Sequence, residues 1–388
     1  MYSELTSERL PIKLWTDDIE PGALQQAKNL ANLSFAVSHI AIMPDCHEGF
    51  GMPIGGVLAT TKAVIPNAVG VDIGCGMCAV KTNMNELPKE ILARIIKDIR
   101  RAIPLGFNHH KQMQDVRFMP DIEIIGNGIV EREYDSARRQ VGSLGGGNHF
   151  IEVQSGGDGH IWIMVHSGSR NIGLKVAEHY NRIAKRINED NPIKGDRQRD
   201  LASLPLGSRH ANEYMSEMQY CLDFAFSNRK LMMATIEGIF SDNIGQDYEG
   251  LDFINIAHNY AAVEHHFGKE VILHRKGATS ARKGEKGIIP GSQGTSSYII
   301  TGKGNPESFL SCSHGAGRIM GRNQAKKVLD LENERKKLDR KGIIHSLHSV
   351  RDLDEAPGAY KNINRVMELQ ADLVDIELEL SPLAVVKG

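Results

Sequence analysis

Ile161-Trp162-Ile163-Met164-Val165-His166-Ser167-Gly168-Ser169-Arg170 is the stretch on which the fold turns: five apolar residues in a row, a histidine, then a small-residue loop ending in arginine. An apolar run without alternation describes a strand buried on both faces. His166 stands where that strand emerges, and the Ser-Gly-Ser-Arg after it opens a helix expected to reach about residue 189. Backbone N–H groups at a helix start, beside a guanidinium, suit a phosphate. A lone histidine at such a place is more often a satisfied core residue, so the functional reading needs support elsewhere in the chain.

Working outward, residues 1–80 read as strands and turns. Ile40-Ala41-Ile42-Met43 is one apolar run, ended by Pro44-Asp45-Cys46-His47-Glu48-Gly49, and Gly55-Gly56-Val57-Leu58-Ala59 is another. The spacing of Ile91, Leu92, Ile95, Ile96 and Ile99 predicts a helix over 83–103, and the polar region near 104–140 reads as mixed loop and helix. A long helix is expected from 208 to 238 and glycine-rich sheet from 270 to 313. A charged amphipathic helix follows over 323–341, with Ala325, Val328, Leu329 and Leu338 inward, and a last helix over 362–380. Neither an internal repeat nor a Pro-, Ser- or charge-rich linker divides the chain. The expectation is one mixed α+β domain over 1–388, its glycine-rich sheets and flanking helices sending loops to a single site.

Composition bounds the chemistry. The 388 residues are 41% hydrophobic, enough for a substantial core, and the net charge of −2 gives no overall bias toward nucleic acid or an acidic membrane. Any polyanion site must be local. The first residues, MYSELTSERLPIKLW, lack a basic segment followed by an apolar one, and no stretch approaches a membrane span, so a cytoplasmic protein without membrane contact is expected. Five cysteines, an odd number, point to reduced thiols rather than a disulfide framework, with at least one doing chemistry. The 39 glycines fall in short runs, and those runs hold the candidate sites.

In Val71-Asp72-Ile73-Gly74-Cys75-Gly76-Met77 a carboxylate and a thiol stand three residues apart among glycines that let both face one point. That is metal-ligand spacing, although a strand end with an Asp turn and a buried Cys reads the same way. Gly145-Gly146-Gly147-Asn148-His149-Phe150-Ile151-Glu152 places an amide, an imidazole and a carboxylate after three glycines, a large loss of backbone entropy for an ordinary turn. His258 adds an imidazole beside the amide of Asn259, while His265 and His266 read as surface residues. In Ser311-Cys312-Ser313-His314-Gly315-Ala316-Gly317-Arg318 a histidine leads a small-residue loop into an expected helix with Arg318 at its start. Helix N–H groups and Arg318 could hold a triphosphate while His314 attacks or transfers a proton. The basic cluster His274-Arg275-Lys276 through Arg282, Lys283 and Lys286 is the candidate for local polyanion contact. Residue chemistry alone thus gives a metal centre of Asp72, Cys75, His149, His166 and His258 with His314 beside it. A thiolate with imidazoles and a carboxylate suits zinc, cobalt or iron at least as well as manganese.

Taken together the motifs resemble the RtcB-type RNA-splicing ligases, collinearly and over nearly the whole chain. The matching stretches are MPDCHEGFGMPIGG at 43–56, GVDIGCGM at 70–77, GGGNHFIE at 145–152, HSGSR at 166–170, HNY at 258–260, RKGATSAR at 275–282, PGSQGTSSY at 290–298, CSHGAGR at 312–318 and the final VKG. The resemblance implies a GTP- and Mn²⁺-dependent enzyme joining an RNA 2′,3′-cyclic phosphate or 3′-phosphate end to a 5′-hydroxyl end. It implies a binuclear site, with Asp72, Cys75 and His149 on one ion and Cys75, His166 and His258 on the other. His314 matches the guanylylated histidine, with Asp45 orienting its other ring nitrogen. Asn148, Glu152, Asn259, Pro290, Gly291, Ser292, Gln293, Ser297, Gly315, Ala316, Gly317 and Lys387 match positions around the guanine nucleotide, and Tyr360 is implied to stack on the base. Arg170 and Lys276 are implied to touch RNA phosphates, and an archease-type activator is a candidate partner. Gln293 stands where a methionine is common, and Cys46 and Glu48 also depart from the pattern. Two other readings compete: a binuclear phosphodiesterase that opens cyclic phosphates without ligation, and a non-catalytic GTP- or RNA-binding module.

Overall fold

Alternation with a period of two builds the central sheet. Along Gly76–Thr82, Met77 and Ala79 join one core while Cys78 and Val80 join another; along Ile161–Ser167, Trp162 and Met164 oppose Ile161, Ile163 and Val165. Both faces are therefore buried, as the apolar run required. The computed structural model describes residues 1–121, 128–190, 199–245 and 248–388.

This sheet has seven antiparallel strands in the order Gly250–Ala257, Gly76–Thr82, Ile161–Ser167, Phe150–Gly156, Val374–Lys387, Ser297–Gly302 and Lys286–Ile289. It curls until its edges approach, with Lys286 Nζ 2.8 Å from Asp252 Oδ2 across the gap, a near-barrel enclosing Met77, Trp162, Met164, Ile254, Ile288, Ile299 and Leu380. Its outer face carries the helices Lys89–Ala102 and Arg209–Ile244. A second sheet of six strands runs Ser3–Leu5, Ile12–Leu14, Ala36–His47, Ile54–Thr60, Lys269–Lys276 and Asn259–His266. The sheets meet in sequence at His258, the single residue between Gly250–Ala257 and Asn259–His266.

Register explains how distant motifs converge. Ala257 pairs with Gly76, Gly76 with Ser167, and His166 with Phe150, so four adjacent strands end side by side. Cys75, His149, His166 and His258 lie at or one residue beyond those ends.

Several expected elements differ. The helix read from 83 begins at Lys89, after Pro88, and the helix read over 208–238 extends from Arg209 to Ile244, capped by Ser208, whose Oγ accepts the Ala211 N–H at 3.2 Å. The amphipathic helix over 323–341 is two, Arg322–Val328 and Leu331–Asp339. Leu329 turns extended (ψ 142°), and the Asp330 side chain caps the second helix by accepting the Asn333 N–H. The last helix ends at Leu369, and Val374–Lys387 is a 14-residue strand. A helix over Pro21–Ala31, packed on the second sheet, lies in the region read as strands and turns. The polar region near 104–140 falls partly outside the described residues; within them it is loop around a helix at Ile129–Arg138.

Candidate active site

Asp72 and Cys75 sit on the tight loop before Gly76–Thr82, and His149 immediately precedes Phe150–Gly156. Cys75 Sγ lies 3.2 Å from Nε2 of both His149 and His166, and Asp72 Oδ2 lies 3.0 Å from His149 Nε2. The donor atoms of Cys75, His149 and His166 all fall within 4.8 Å of one another, and all three residues are buried. Convergence of a thiol and two imidazoles in a buried place fits a divalent metal, because so many donors facing one another have no other common partner. The ring of His258 is 5.2 Å from that of His166, and the ring of His314 4.8 Å from that of His258, so the imidazoles run in file from the cluster to His314.

Surrounding groups fix these side chains. His166 Nδ1 faces the Asn148 carbonyl at 3.2 Å; a carbonyl only accepts, so Nδ1 carries the proton and Nε2 turns its lone pair toward Cys75. Gly145 is required by close approach, since a Cβ there would fall 1.9 Å from His149 Nδ1 and 2.8 Å from Arg170 Nη1. Burial, then Asp72, push the Cys75 thiol far above its usual value, and burial, followed by neighbouring imidazoles, pulls His166 and His258 well down. Burial acts to raise Asp72, yet the adjacent His149 outweighs it and brings the carboxyl down to about 2. An arriving cation meets a carboxylate and neutral His166 and His258 imidazoles, and must displace the thiol proton.

His314 follows the short strand Ser311–Ser313 and lies against Asp45, which is wholly buried in Ala36–His47. Asp45 Oδ2 lies 2.5 Å from His314 Nδ1 and accepts the backbone N–H groups of His314 at 3.0 Å and Gly315 at 3.3 Å. With Nδ1 committed to the carboxylate, Nε2 is the nitrogen left to react. Gly317, at φ +73°, allows the loop to close over Asp45, whose carbonyl oxygen would lie 2.1 Å from a Cβ. The expected helix entry is not there: residues 314–321 are loop, and the helix starts at Arg322. Arg318 instead donates to Glu355 (3.2 Å) and Asp354 O (2.5 Å), so it braces the cleft wall.

His314, Asn148, His166, Pro290, Gly291, Gly315, Ala316, Gly317 and Tyr360 line a cleft of about 640 Å³. Beneath it Glu152, Ser292, Gln293 and Lys387 surround a recess of about 20 Å³, room for a water and too little for a base. Lys387 Nζ, carried in by the last strand, closes it by pairing with Glu355 at 2.9 Å. Glu355 is the residue the sequence reading missed. It is buried and also receives the Tyr360 hydroxyl at 2.5 Å; burial resists its ionisation, but Lys387, Tyr360 and Arg318 hold its carboxyl below the usual range. Ser297 Oγ accepts from Gly291 N at 3.2 Å and Gln154 Nε2 at 3.1 Å, and the Gln293 amide donates to Glu355 O at 2.8 Å. The Asn259 amide ties loops together, donating to Asp72 O at 3.1 Å and accepting from Gly277 N at 2.8 Å.

The basic cluster divides, with His274, Arg275 and Lys276 buried and Arg282, Lys283 and Lys286 exposed. Arg275 is fully buried on Glu264, and Lys276, which the resemblance implied to touch RNA phosphate, is buried with Nζ donating to the carbonyls of Phe50 at 2.6 Å and Asn67 at 2.9 Å. Arg282 and Lys286 are paired with Glu264 and Asp252. His265 is exposed as expected, but His266 is buried 3.0 Å from Glu264. Arg170 does lie at the site, in a left-handed conformation (φ +61°), its guanidinium holding Gly106 O at 2.6 Å and Ser143 Oγ at 3.1 Å. Asn228 and Arg229, on the long helix, were also missed. They hold the loops behind the cluster, Asn228 through Gly142 N, Ser143 N and Gly168 O, and Arg229 through Gly74 O and Ser167 O, both at 2.9 Å. All five cysteines are buried and unpaired, and no helix among the described residues is long and apolar enough to cross a membrane.

Comparison with known proteins agrees over the full length. The family model described as tRNA-splicing ligase RtcB matches residues 26–124 and 123–388. The RNA-splicing ligase RtcB of Escherichia coli (strain K12) is 38% identical over 411 aligned positions, with all of both chains covered. The tRNA-splicing ligase RtcB of Thermococcus kodakarensis is 30% identical, covering 98% of this chain and 95% of that one, and the tRNA-splicing ligase RtcB of Archaeoglobus fulgidus is 31% identical, covering 95% and 92%.

Proposed function

The chain belongs to the RtcB family of RNA-splicing ligases, and from that premise we propose that its 388 residues form one ligase domain using GTP, two Mn²⁺ ions and a His314–GMP intermediate. It is an RNA ligase of tRNA splicing or RNA repair. Its substrates are a 2′,3′-cyclic phosphate or 3′-phosphate end and a 5′-hydroxyl end. The observation that carries this reading is His314, held by Asp45 at the end of a file of imidazoles that begins at Cys75. Unpaired thiols suit a reducing cytoplasm.

Asp72, Cys75 and His149 would hold one ion and Cys75, His166 and His258 the second, sharing the thiolate. Bound there, the metal supplies Lewis-acid neutralisation of phosphate charge. His314 Nε2 attacks the α-phosphorus of GTP, so an N–P bond forms, the P–O bond to pyrophosphate breaks, and Asp45 stabilises the positive charge gathering on the ring. An oxygen of the RNA 3′-phosphate then attacks the same phosphorus and frees His314. Last, the 5′-hydroxyl attacks the RNA phosphate, loses its proton and expels GMP. Water opens a cyclic phosphate beforehand.

Incubating the protein with a 3′-phosphate RNA, a 5′-hydroxyl RNA, GTP and Mn²⁺ should yield joined RNA, with one GMP and one pyrophosphate per junction. A simple phosphodiesterase would instead open cyclic phosphate equally well without GTP and join nothing, and that outcome would sink the proposal.

Glu152 and Lys387 suit a guanine: a carboxylate accepts from N1–H and the 2-amino group, and an ammonium donates to O6. The Lys387–Glu355 pair must part for the base to enter. Burial pushes Glu152 up to about 8, so below that pH the acceptor is largely protonated. The ionised fraction grows as pH rises toward 8. Guanosine, which has no phosphate to titrate, should therefore bind more weakly by roughly tenfold for each unit below pH 8. Calorimetry between pH 6.5 and 8.5 reads this, with Glu152→Gln weak and flat; a flat wild-type profile would remove Glu152 from the base contact.

A further inference from the structure

One buried guanidinium ties the metal-ligand side of the site to the turn that delivers His314. Arg275 is fully buried, and its five N–H groups are all committed. Nη1 donates to the Tyr260 hydroxyl at 3.0 Å and to Glu264 Oε1. Nη2 donates to Glu264 Oε2 at 3.3 Å and to Phe309 O at 3.2 Å, and Nε donates to Ser311 Oγ at 2.9 Å. Tyr260 stands two residues after His258, and Ser311 three before His314, in segments whose histidine rings lie 4.8 Å apart. Charge alone does not account for this placement. Arg282 Nη2, at 3.2 Å, already gives Glu264 a counter-ion, whereas the planar fork of Arg275 goes on to two acceptors of the turn.

The turn needs a brace. Phe309 and Leu310 are consecutive residues other than glycine in the left-handed region, each at φ +54°. There Cβ crowds the backbone, and the conformation persists only where the surroundings over-determine it. Phe309 O receives Arg275 and also the Ser311 hydroxyl at 3.0 Å, and the Phe309 ring is stacked on His39 at 4.4 Å. Leu310 O receives Ala281 N at 2.7 Å. From the turn the chain enters Ser311–Ser313, whose far end is held by Gln370, with Ser313 N donating to Oε1 at 3.0 Å. Ser313 pairs with Ala278, and Ala278 N donates to His258 O at 3.2 Å. Displacement of the turn therefore passes along a three-residue strand to His314 and alters its spacing from His258.

We propose that Arg275 is a positioning residue for the nucleophile: it holds the Phe309–Leu310 turn in its left-handed form against Tyr260 and Glu264, and so sets how far His314 stands from the metal centre. Reacting groups displaced by about 1 Å lose on the order of a hundredfold in rate. The proposal rests on the ligase reading above, in which His314 takes the GMP.

Single-turnover labelling by α-labelled GTP and Mn²⁺ tests it, because the rate constant reports the geometry of His314 while the amplitude reports the amount of folded protein. Arg275→Lys keeps a charge beside Glu264 but loses the fork. Its labelling rate constant is expected to fall about a hundredfold, with amplitude, metal content and KM for GTP within about threefold of wild type. Adding Leu310→Gly, which takes positive φ without a Cβ, should recover about tenfold of that loss. Should Arg275→Lys fail to fold, Ser311→Ala removes the hydroxyl between Arg275 and Phe309 O and is expected to slow labelling about tenfold. An unchanged rate constant in Arg275→Lys or, where that variant does not fold, in Ser311→Ala overturns the assignment. So does a loss confined to amplitude, a loss accompanied by loss of metal, or slow labelling that Leu310→Gly does not improve. A wild-type protein that takes no label from GTP overturns the ligase reading, and this proposal with it.

Discussion

Replacing His314 with alanine is expected to leave no acid-labile, alkali-stable label on the protein after incubation with α-labelled GTP and Mn²⁺, and to lower ligation by roughly four orders of magnitude. The expectation follows from position: His314 presents Nε2 to the 640 Å³ cleft while Asp45 holds Nδ1. Metal content should stay near normal, because the donor atoms of Cys75, His149 and His166 converge without it. Asp45→Asn should still accept label, but roughly a hundredfold more slowly, since the neutral amide no longer stabilises charge on the ring. Label that survives His314→Ala would move the nucleophile elsewhere, His47 of the same cleft being the first histidine to examine.

Cys75→Ala is expected to lower affinity for both ions by at least about a hundredfold and to remove ligation with it. Sγ lies 3.2 Å from two imidazoles and is the one donor positioned between the Asp72–His149 side and the His166–His258 side. The thiol is protonated in the metal-free protein, so little ionic stabilisation of the fold is lost and thermal unfolding without metal should change little. Elemental analysis of purified variant and wild type reads the outcome. Normal metal stoichiometry in the variant would refute the shared thiolate.

Most of the proposed ligand residues were legible because they belong to short motifs whose composition has few other uses: an Asp and a Cys among glycines, a His in a loop after three glycines, a His at the end of an apolar run. The last strand was not. Leu369, Leu373, Ile376 and Leu380 fall at helical spacing, while Val374, Ile376, Leu378 and Leu380 fall at strand spacing, and the segment satisfies both periods. Pairing with Phe150–Gly156 on one side and Ser297–Gly302 on the other decides for strand. Lys276 was read with its run of cations as a candidate polyanion contact, and its burial was not legible: its strand is interior to the six-stranded sheet and its amine ends on two carbonyls. Glu355 carries no motif at all; its importance lies in the Arg318, Tyr360 and Lys387 that meet it from elsewhere in the chain.

The sequence by itself determined the mixed strand-and-helix class and the family, and it supplied the proposed donors and nucleophile, since all of these are properties of short segments and their order. Tertiary structure alone decided that Asp45 Oδ2 also accepts two backbone N–H groups of the His314 loop, that Lys387 pairs with Glu355, that Lys276 is buried and that Arg170 holds Gly106 O and Ser143 Oγ. The physical reason is the same in each case. Local periodicity specifies which face of an element is apolar, but a polar group's partner is set by the register of strands far apart in the chain, where one residue of slip would exchange the buried face for the exposed one.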